Sequence, residues 1–307
     1  MIRKISLLLL VFLPSIISAQ QLTLYSQYMT NEIAINPAVA GTRPYSPLQI
    51  NSRNQWASLG ADAPITNTLS FHSSLGRDSE FGLGGLVFQE STGPYSQLGV
   101  VLSYAYHVSF RRKSKTRLSF GLSGTFTQHS LNQDQLEFHN PDPEFEAGQV
   151  SSFVPDAGFG LYLSNKDFYA GASVQQLFES TFREASSNIF GDNDQVRHFL
   201  FHAGVKNRIN NDLYIEPSIL IKTTETSPMQ LDLNARVVIK DAFWTGLSLR
   251  TSKSAVVLIG ANFGTFTVGY GFDYSWSSIG TYTSGSHEIS LGFNIPDKRF
   301  RRHSYYW

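Results

Sequence analysis

The chain of 307 residues is 16% charged and 13% aromatic and contains 24 glycines, a composition that suits short strands and tight turns better than helices. Its basic and acidic residues balance to a formal net charge of zero, which excludes the overall positive charge typical of nucleic-acid-binding proteins. It has no cysteine, and this excludes disulfides, thiolate metal ligands, a cysteine nucleophile and a lipid-modified N-terminal cysteine.

Residues 1–19 have the pattern of a secretory signal peptide. Two basic residues precede an apolar run over residues 5–17, and small side chains favour cleavage after Ala19. The alternative is a membrane anchor, but Pro14 interrupts the run, which is shorter than the ~20 residues that a spanning helix needs. We therefore expect an exported protein whose mature chain begins directly after the cleavage site.

Residues 20–46 show no regular alternation of apolar and polar side chains, and Asn36, Pro37 and Gly41 mark turns within them. A passive leader would carry fewer large apolar residues than this segment has, namely Leu22, Leu24, Tyr25, Tyr28, Met29, Ile33 and Ile35. We expect an ordered segment, either a periplasmic arm or a plug in the lumen. Tyr28, Asn36 and Pro37 are its candidate partner contacts.

About fourteen segments between residues 48 and 295 alternate apolar residues with polar residues or glycine. In the clearest, Phe266, Val268 and Tyr270 point one way and Thr267 and Gly269 the other. An apolar outer face and a polar inner face at a period of two are typical of outer-membrane barrels. We predict an all-β fold, a transmembrane antiparallel β-barrel of about 14 strands over residues 47–296, followed by a basic and aromatic tail over residues 297–307.

Loop lengths separate this barrel from a soluble β-sandwich, because outer-membrane barrels have short periplasmic turns and longer external loops. With the mature N-terminus in the periplasm, every second connection is short: 76–80, 111–116, 164–167, 208–212, 240–241 and 264–265. The external set contains the three connections expected to be longest: 132–154, 179–195 and 275–285. Loops on a rigid scaffold often carry recognition, so Glu144, Asn188 and Tyr282 are candidate partner contacts.

The inner face of the predicted barrel carries charges of both signs. The residues assigned to it are Arg53, Asp156, His198, His202, Lys206, Glu216, Lys222, Asp232, Arg236, Arg250, Asp273 and Glu288. We expect Arg53, Asp232, Arg236, Asp273 and Glu288 to form a polar network in the lumen. Two interpretations stay open, an architectural network of paired charges and a polar throat that holds a partner peptide.

The sequence predicts no catalytic, cofactor-binding or metal-binding residue. His198 and His202 are four residues apart, a spacing that on a strand places both on the lumenal face as ordinary lining. The glycine-rich stretch 260–271 lacks the lysine of a phosphate-binding loop. We therefore predict a protein that is not an enzyme.

Several motifs spread over almost the whole mature chain resemble the PorP/SprF family of outer-membrane proteins of the type IX secretion system. They are YSQYM at 25–29, INPAVAG at 35–41, RNQW at 53–56, SYAY at 103–106, LSFGL at 118–122, GYGFDY at 269–274 and SGSHEISLG at 284–292. The INPAVAG and GSHEISL elements are the more specific, because a generic barrel strand does not require them. Val39 departs from the family pattern, which often has an aromatic residue there.

The resemblance implies a non-enzymatic role in exporting or anchoring particular surface proteins, such as adhesins or gliding proteins. It also implies partners: a secreted cargo protein with a type IX C-terminal signal, periplasmic and lipoprotein components of the secretion machinery, and the lipid bilayer, but no nucleic acid and no cofactor. The competing interpretation is a diffusion channel or a transporter of hydrophobic compounds, which the same barrel would support because fold does not determine function.

Overall fold

The computed structural model describes residues 25–76, 79–110, 116–135, 148–182 and 193–297. The predicted signal peptide, the tail beyond Asp297, and the loop residues Glu144 and Asn188 lie outside the described residues. No helix in the described ranges is long and apolar enough to cross a membrane.

Within the described residues, fourteen antiparallel strands form one closed barrel. They are β1 (Tyr45–Asn54), β2 (Ile65–Leu75), β3 (Phe81–Thr92), β4 (Tyr95–Phe110), β5 (Thr116–Asn132), β6 (Gln149–Ser164), β7 (Phe168–Gln175), β8 (His198–Val205), β9 (Leu213–Thr224), β10 (Gln230–Ile239), β11 (Phe243–Arg250), β12 (Ser254–Phe263), β13 (Phe266–Ser275) and β14 (Ser286–Pro296). Each strand pairs with its neighbours in sequence, and β1 pairs with β14. The predicted architecture and strand number are confirmed, and β1 begins two residues before the expected boundary.

The strands have one apolar outer face and one polar inner face. In β13, Phe266, Val268 and Tyr274 are exposed, whereas Gly271 and Asp273 are buried. The same alternation gives β2, β11 and most other strands a row of exposed large apolar side chains. Because closure pairs every strand on both sides, the backbone polar groups of the wall are satisfied without water, as a bilayer requires.

The two ends of the barrel differ in their connections. At what we call the short-turn end, the strands are joined by residues 76–80, 111–115, 165–167, 206–212, 240–242 and 264–265. At the long-loop end, residues 133–148, 176–197 and 276–285 connect the strands, together with some tight turns. The connection 55–64 was not expected to be long, yet it matches the length of 276–285. It contains the 3-10 helix Ala57–Asp62, which lacks the two-residue period by which strands are recognised.

The long loops contain further ordered contacts. Residues Thr181–Phe182 and Asn193–Asp194 pair as a short hairpin within one loop. The loops 55–64 and 276–285 are joined by the Ser58 hydroxyl, which donates to the Tyr282 carbonyl at 3.2 Å. The long-loop end is therefore partly built from loops that support one another.

Residues 25–44, which we call the inner segment, lie inside the barrel before the chain enters β1. The segment contains the 3-10 turns Glu32–Ala34 and Pro37–Val39, and the Asn36 side chain caps the second turn by accepting from the Ala38 amide at 3.0 Å. It passes from Ser26, near the long-loop end, to Gly41, whose amide donates to His72 Nδ1 at 3.1 Å near the short-turn end. The protein core is formed mainly by this segment and the inner wall.

Candidate functional site

The inner segment is tied by hydrogen bonds to several sides of the barrel. The Tyr25 hydroxyl lies 2.9 Å from Thr68 Oγ1 of β2, and the Tyr28 hydroxyl accepts from Asn234 Nδ2 of β10 at 2.8 Å. On β7, the Ser173 hydroxyl donates to the Ile35 carbonyl at 2.5 Å. These anchors lie on strands that are far apart around the barrel, so they hold the segment across the lumen.

Glycines on the inner wall make room for the backbone of the inner segment. A Cβ atom built at Gly82 would lie 1.9 Å from the Ala40 carbonyl oxygen, and one at Gly121 would lie 2.1 Å from the Ala38 amide nitrogen. Built Cβ atoms at Gly84 and Gly160 would lie 2.3 Å from the Ile33 side chain and 2.1 Å from Asn36 Oδ1, and one at Gly171 would lie 2.8 Å from Asn36 Nδ2. A side chain at such positions would displace the segment, so these glycines explain why the segment can approach β3 to β7 so closely.

An ion-pair network lies in the half of the lumen towards the long-loop end. Its members are Arg53, Lys222, Asp232, Arg250, Asp273 and Glu288. Arg53 contacts Asp273 at 3.1 Å and Glu288 at 3.2 Å, and Arg250 contacts Asp273 at 2.6 Å. Arg250 also lies 3.5 Å from Asp232. The network has three positive and three negative members, so each buried charge has opposite charges nearby.

This network also holds the start of the inner segment. The Glu288 carboxylate accepts the Ser26 amide at 2.6 Å and the Gln27 amide at 3.0 Å. The Ser26 hydroxyl accepts from Arg250 at 3.1 Å and from Arg53. The backbone and a side chain of the inner segment thus form hydrogen bonds with the buried charges. The ion-pair network and the inner segment therefore depend on each other.

A second group of charges lies towards the short-turn end. Arg43 pairs with Glu32 of the inner segment at 3.1 Å. On the wall, Glu216 pairs with Arg236 and lies 4.0 Å from Lys206. The charge pairs border a cavity of about 310 Å³, which also reaches the turn residues 241 and 264. We call this cavity the vestibule.

The five residues expected to form one polar network fall into two places. Arg53, Asp232, Asp273 and Glu288 are brought together, and Lys222 and Arg250, also assigned to the polar face, complete the group. Arg236 lies instead at the vestibule with Glu216. Arg236 is four residues from Asp232 along β10, about 13 Å at the rise of a strand, and this separates the two places.

The candidate partner contacts also differ in their surroundings. Tyr28, Asn36 and Pro37 are buried between the inner segment and the wall. Asn36 Nδ2 donates to the Leu161 carbonyl at 2.9 Å and lies 3.1 Å from His202 Nε2. Tyr282 is 77% exposed in the loop 276–285. Three of the candidates therefore contact the protein's own barrel, and Tyr282 faces solvent at the long-loop end.

His198 and His202, the two histidines assigned to the inner face from the sequence, have different protein partners. His198 Nδ1 lies 2.8 Å from Gln176 Oε1, and His202 packs beside Tyr162 and Tyr169 with ring centroids 5.6 Å apart in each case. Among the described residues, no group of three or more His, Cys, Asp or Glu side chains is arranged to hold a metal ion.

Sequence reasoning did not identify Ser26 and Gln27 as partners of Glu288, nor the glycines as contacts of the inner segment. The sequence did contain a sign of these contacts. Five glycines in β3, β5, β6 and β7 occupy positions that face the lumen, namely Gly82, Gly84, Gly121, Gly160 and Gly171. Small residues on the lumenal face indicate that another backbone comes close.

A family model described as "Type IX secretion system membrane protein PorP/SprF" matches residues 17–293. No curated protein sequence matches the chain.

Solved structures of outer-membrane barrels are similar in fold. A Pseudomonas aeruginosa FadL homologue has a TM-score of 0.50 and 9% identity, over 85% of this chain and 92% of that chain. The CymD monoaromatic hydrocarbon channel has a TM-score of 0.47 and 11% identity, over 89% and 93% of the two chains. Acinetobacter baumannii Omp33 has a TM-score of 0.45 and 9% identity, over 83% and 100%. At 9% identity the similarity to the FadL homologue shows the barrel fold alone.

Proposed function

The chain belongs to the PorP/SprF family of type IX secretion system membrane proteins, and from this premise we propose that it assists the export or surface anchoring of particular cargo proteins. In this role the protein lies in the outer membrane, its apolar outer face contacts lipid, and it performs no catalysis. Its partners are a secreted cargo protein and periplasmic or lipoprotein components of the secretion machinery.

The observation that carries the proposal is the occupation of the lumen by the inner segment. A barrel that passes small solutes needs a continuous aqueous path, whereas here the segment is tied to β2, β7 and β10 and fastened by the ion-pair network. A barrel filled in this way is better suited to present loops and end surfaces to other proteins. The family membership supplies the class of partner.

The competing function is a diffusion channel or a transporter of hydrophobic compounds. Similarity to the FadL homologue supports the barrel fold and does not favour this function. A second cavity of about 100 Å³ lies between the inner segment and the wall, lined by Leu86, Phe88, Val101 and polar neighbours. It is smaller than the usual 300–1,000 Å³ of ligand pockets.

We assign the long-loop end to the cell exterior and the short-turn end to the periplasm, on the general rule for bacterial barrels. In this orientation Tyr282 and the loops 133–148 and 176–197 are the surfaces for cargo, and the vestibule faces the periplasm.

Deletion of the gene in the native organism tests the proposal. We expect one or a few surface proteins to disappear from the cell surface, as measured by proteomics of labelled intact cells, while uptake of small nutrients stays nearly unchanged. A gene copy restored on a plasmid should return the missing proteins. A mutant that displays every surface protein normally but loses uptake of a nutrient would support the transporter instead.

A further inference from the structure

The vestibule at the short-turn end is lined by three cations, Arg43, Lys206 and Arg236, and by three carboxylates, those of Glu32, Glu216 and Asp241. Arg43, Arg236 and Lys206 have side chains that are 17%, 18% and 22% exposed. Their partners Glu32 and Glu216 are only 2% and 6% exposed. These two carboxylates are thus less accessible than the cations paired with them, so apart from Asp241 the charged surface that a ligand would meet is mainly that of the cations.

Aromatic side chains hold two of these cations in place. Lys206 Nζ lies 3.8 Å from the centre of the Tyr214 ring, and the Arg236 guanidinium lies 5.7 Å from the centre of the Trp244 ring. Cation–π contacts restrain long side chains without consuming all of their hydrogen-bond donors. The donors of both residues are therefore positioned at the cavity wall before any ligand enters.

The vestibule also contains an unused donor on the inner segment. Asn31 lines the vestibule; its Oδ1 accepts from the Ser70 hydroxyl at 2.9 Å, and its Nδ2 is buried without a hydrogen-bond partner among the described residues. Asp241, in the turn at the mouth, is the exposed carboxylate in the lining.

We propose that the vestibule binds a carboxylate-bearing extended peptide segment of a protein partner that enters from the short-turn end. Its carboxylates contact Lys206, Arg236 and Arg43, because charge-assisted hydrogen bonds to carboxylates are the strongest that these groups make. A volume of about 310 Å³ accommodates a few peptide residues and not a folded domain. The side-chain amide of Asn294 in the lining provides a donor and an acceptor for a peptide backbone.

This inference rests on the proposed function only for the kind of protein partner to which the peptide belongs. Binding is measured on the purified full-length barrel, whereas the proposed function is measured on cells, so each can fail alone. The probe is a short glutamate-rich peptide with an N-terminal fluorescein, compared with the same peptide in which glutamine replaces every glutamate. Fluorescence anisotropy gives the dissociation constants, and inorganic phosphate serves as a competitor.

We expect the glutamate peptide to bind saturably. The glutamine peptide should bind at least about tenfold more weakly, since one charge-assisted contact is worth about that factor. Lys206→Gln should weaken binding of the glutamate peptide about tenfold, whereas Lys206→Arg, which keeps the positive charge, should bind it as the unchanged protein does. The matched control is Lys166→Gln, which removes a 67% exposed lysine from another turn at the same end and should change nothing.

Three results would overturn the proposal: equal affinity for both peptides, unchanged binding to Lys206→Gln, or an equal loss in Lys166→Gln. Displacement of the peptide by phosphate at similar concentrations would assign the cavity to small anions and would also overturn it. Heat-modifiable migration on gels identifies any variant that does not fold. If a variant does not fold, the salt dependence of peptide binding to the unchanged protein is measured in its place. Binding that does not weaken as salt is added would contradict a charged site.

Discussion

At the residue scale, Glu288 connects the wall of the barrel to the inner segment. Its side chain is fully buried, and its oxygens accept from the Ser26 and Gln27 amides, from Asn51 Nδ2 and from Arg53. A carboxylate in this position is satisfied only because four donors from two parts of the chain meet there. The same contacts make the inner segment dependent on a charge in β14.

Glu288→Gln removes this charge while keeping the shape of the side chain. We expect a loss of about 2 kcal/mol in the free energy of unfolding, because one amide oxygen cannot replace two carboxylate oxygens for buried donors. Hydrogen exchange at Ser26 and Gln27 should become faster, as measured by mass spectrometry. Glu225→Gln is the control: Glu225 is 56% exposed and pairs with Arg197, and its loss should cost less than about 1 kcal/mol. Equal effects of both variants would contradict the role of Glu288.

The assignment of an outer and an inner face to the barrel wall leads to a second prediction for single residues. Leu233 is 51% exposed on the outer face of β10, and Leu233→Arg should cost about 2–4 kcal/mol if the residue lies near the bilayer midplane. Thr267 lines the vestibule, and Thr267→Arg should cost less because the cavity has room. Reversible unfolding in lipid vesicles measures both, and equal costs would contradict the assignment of outside and inside.

The sequence predicted which residues face the lumen, since alternation alone separates the faces. It could not predict which charges meet. Arg53 and Asp273 are 220 residues apart in sequence and come together only because β1 closes the barrel on β14, which pairs with β13. The register of closure depends on the whole sheet and is not encoded in any one strand.

At the scale of elements, the strands were predictable, whereas for the inner segment the sequence predicted order and left open whether it is a periplasmic arm or a plug in the lumen. Fourteen segments with a two-residue period correspond to fourteen strands, because each has one face on lipid. The inner segment lacks any period, and its path depends on glycines in β3, β5, β6 and β7 and on the Glu288 carboxylate of β14. The 3-10 helix at Ala57–Asp62 and the hairpin of Thr181–Phe182 with Asn193–Asp194 were missed for the same reason.

Gly121→Val tests the contact between the inner segment and the wall. The Cβ atom would lie 2.1 Å from the Ala38 amide nitrogen, so the segment must move while the strand itself tolerates valine. We expect faster proteolysis within residues 25–44 and an otherwise folded barrel. Gly124→Val, in the same strand, is the control, because its nearest neighbour is Phe126 at 3.8 Å. A segment that stays equally protected in both variants would contradict this packing.

At the scale of the whole molecule, the orientation of the barrel is a prediction. Epitope tags inserted at Glu144 or Asn188, in the loops 133–148 and 176–197, should be reached by antibody on intact cells. A tag at Lys166, in the short turn between β6 and β7, should be reached only after the outer membrane is permeabilised. Labelling of the Lys166 tag on intact cells would reverse the orientation and place the vestibule outside.

The central claim is that the barrel contains its own inner segment and acts on proteins, not as an open pore. Single-channel conductance of the purified protein in a planar bilayer tests it most directly. We predict that the intact protein is nearly silent, and that removal of residues 22–40 produces a folded barrel with discrete and lasting conductance steps. Lasting open steps from the intact protein, of the same size as those of the deletion variant, would contradict the account.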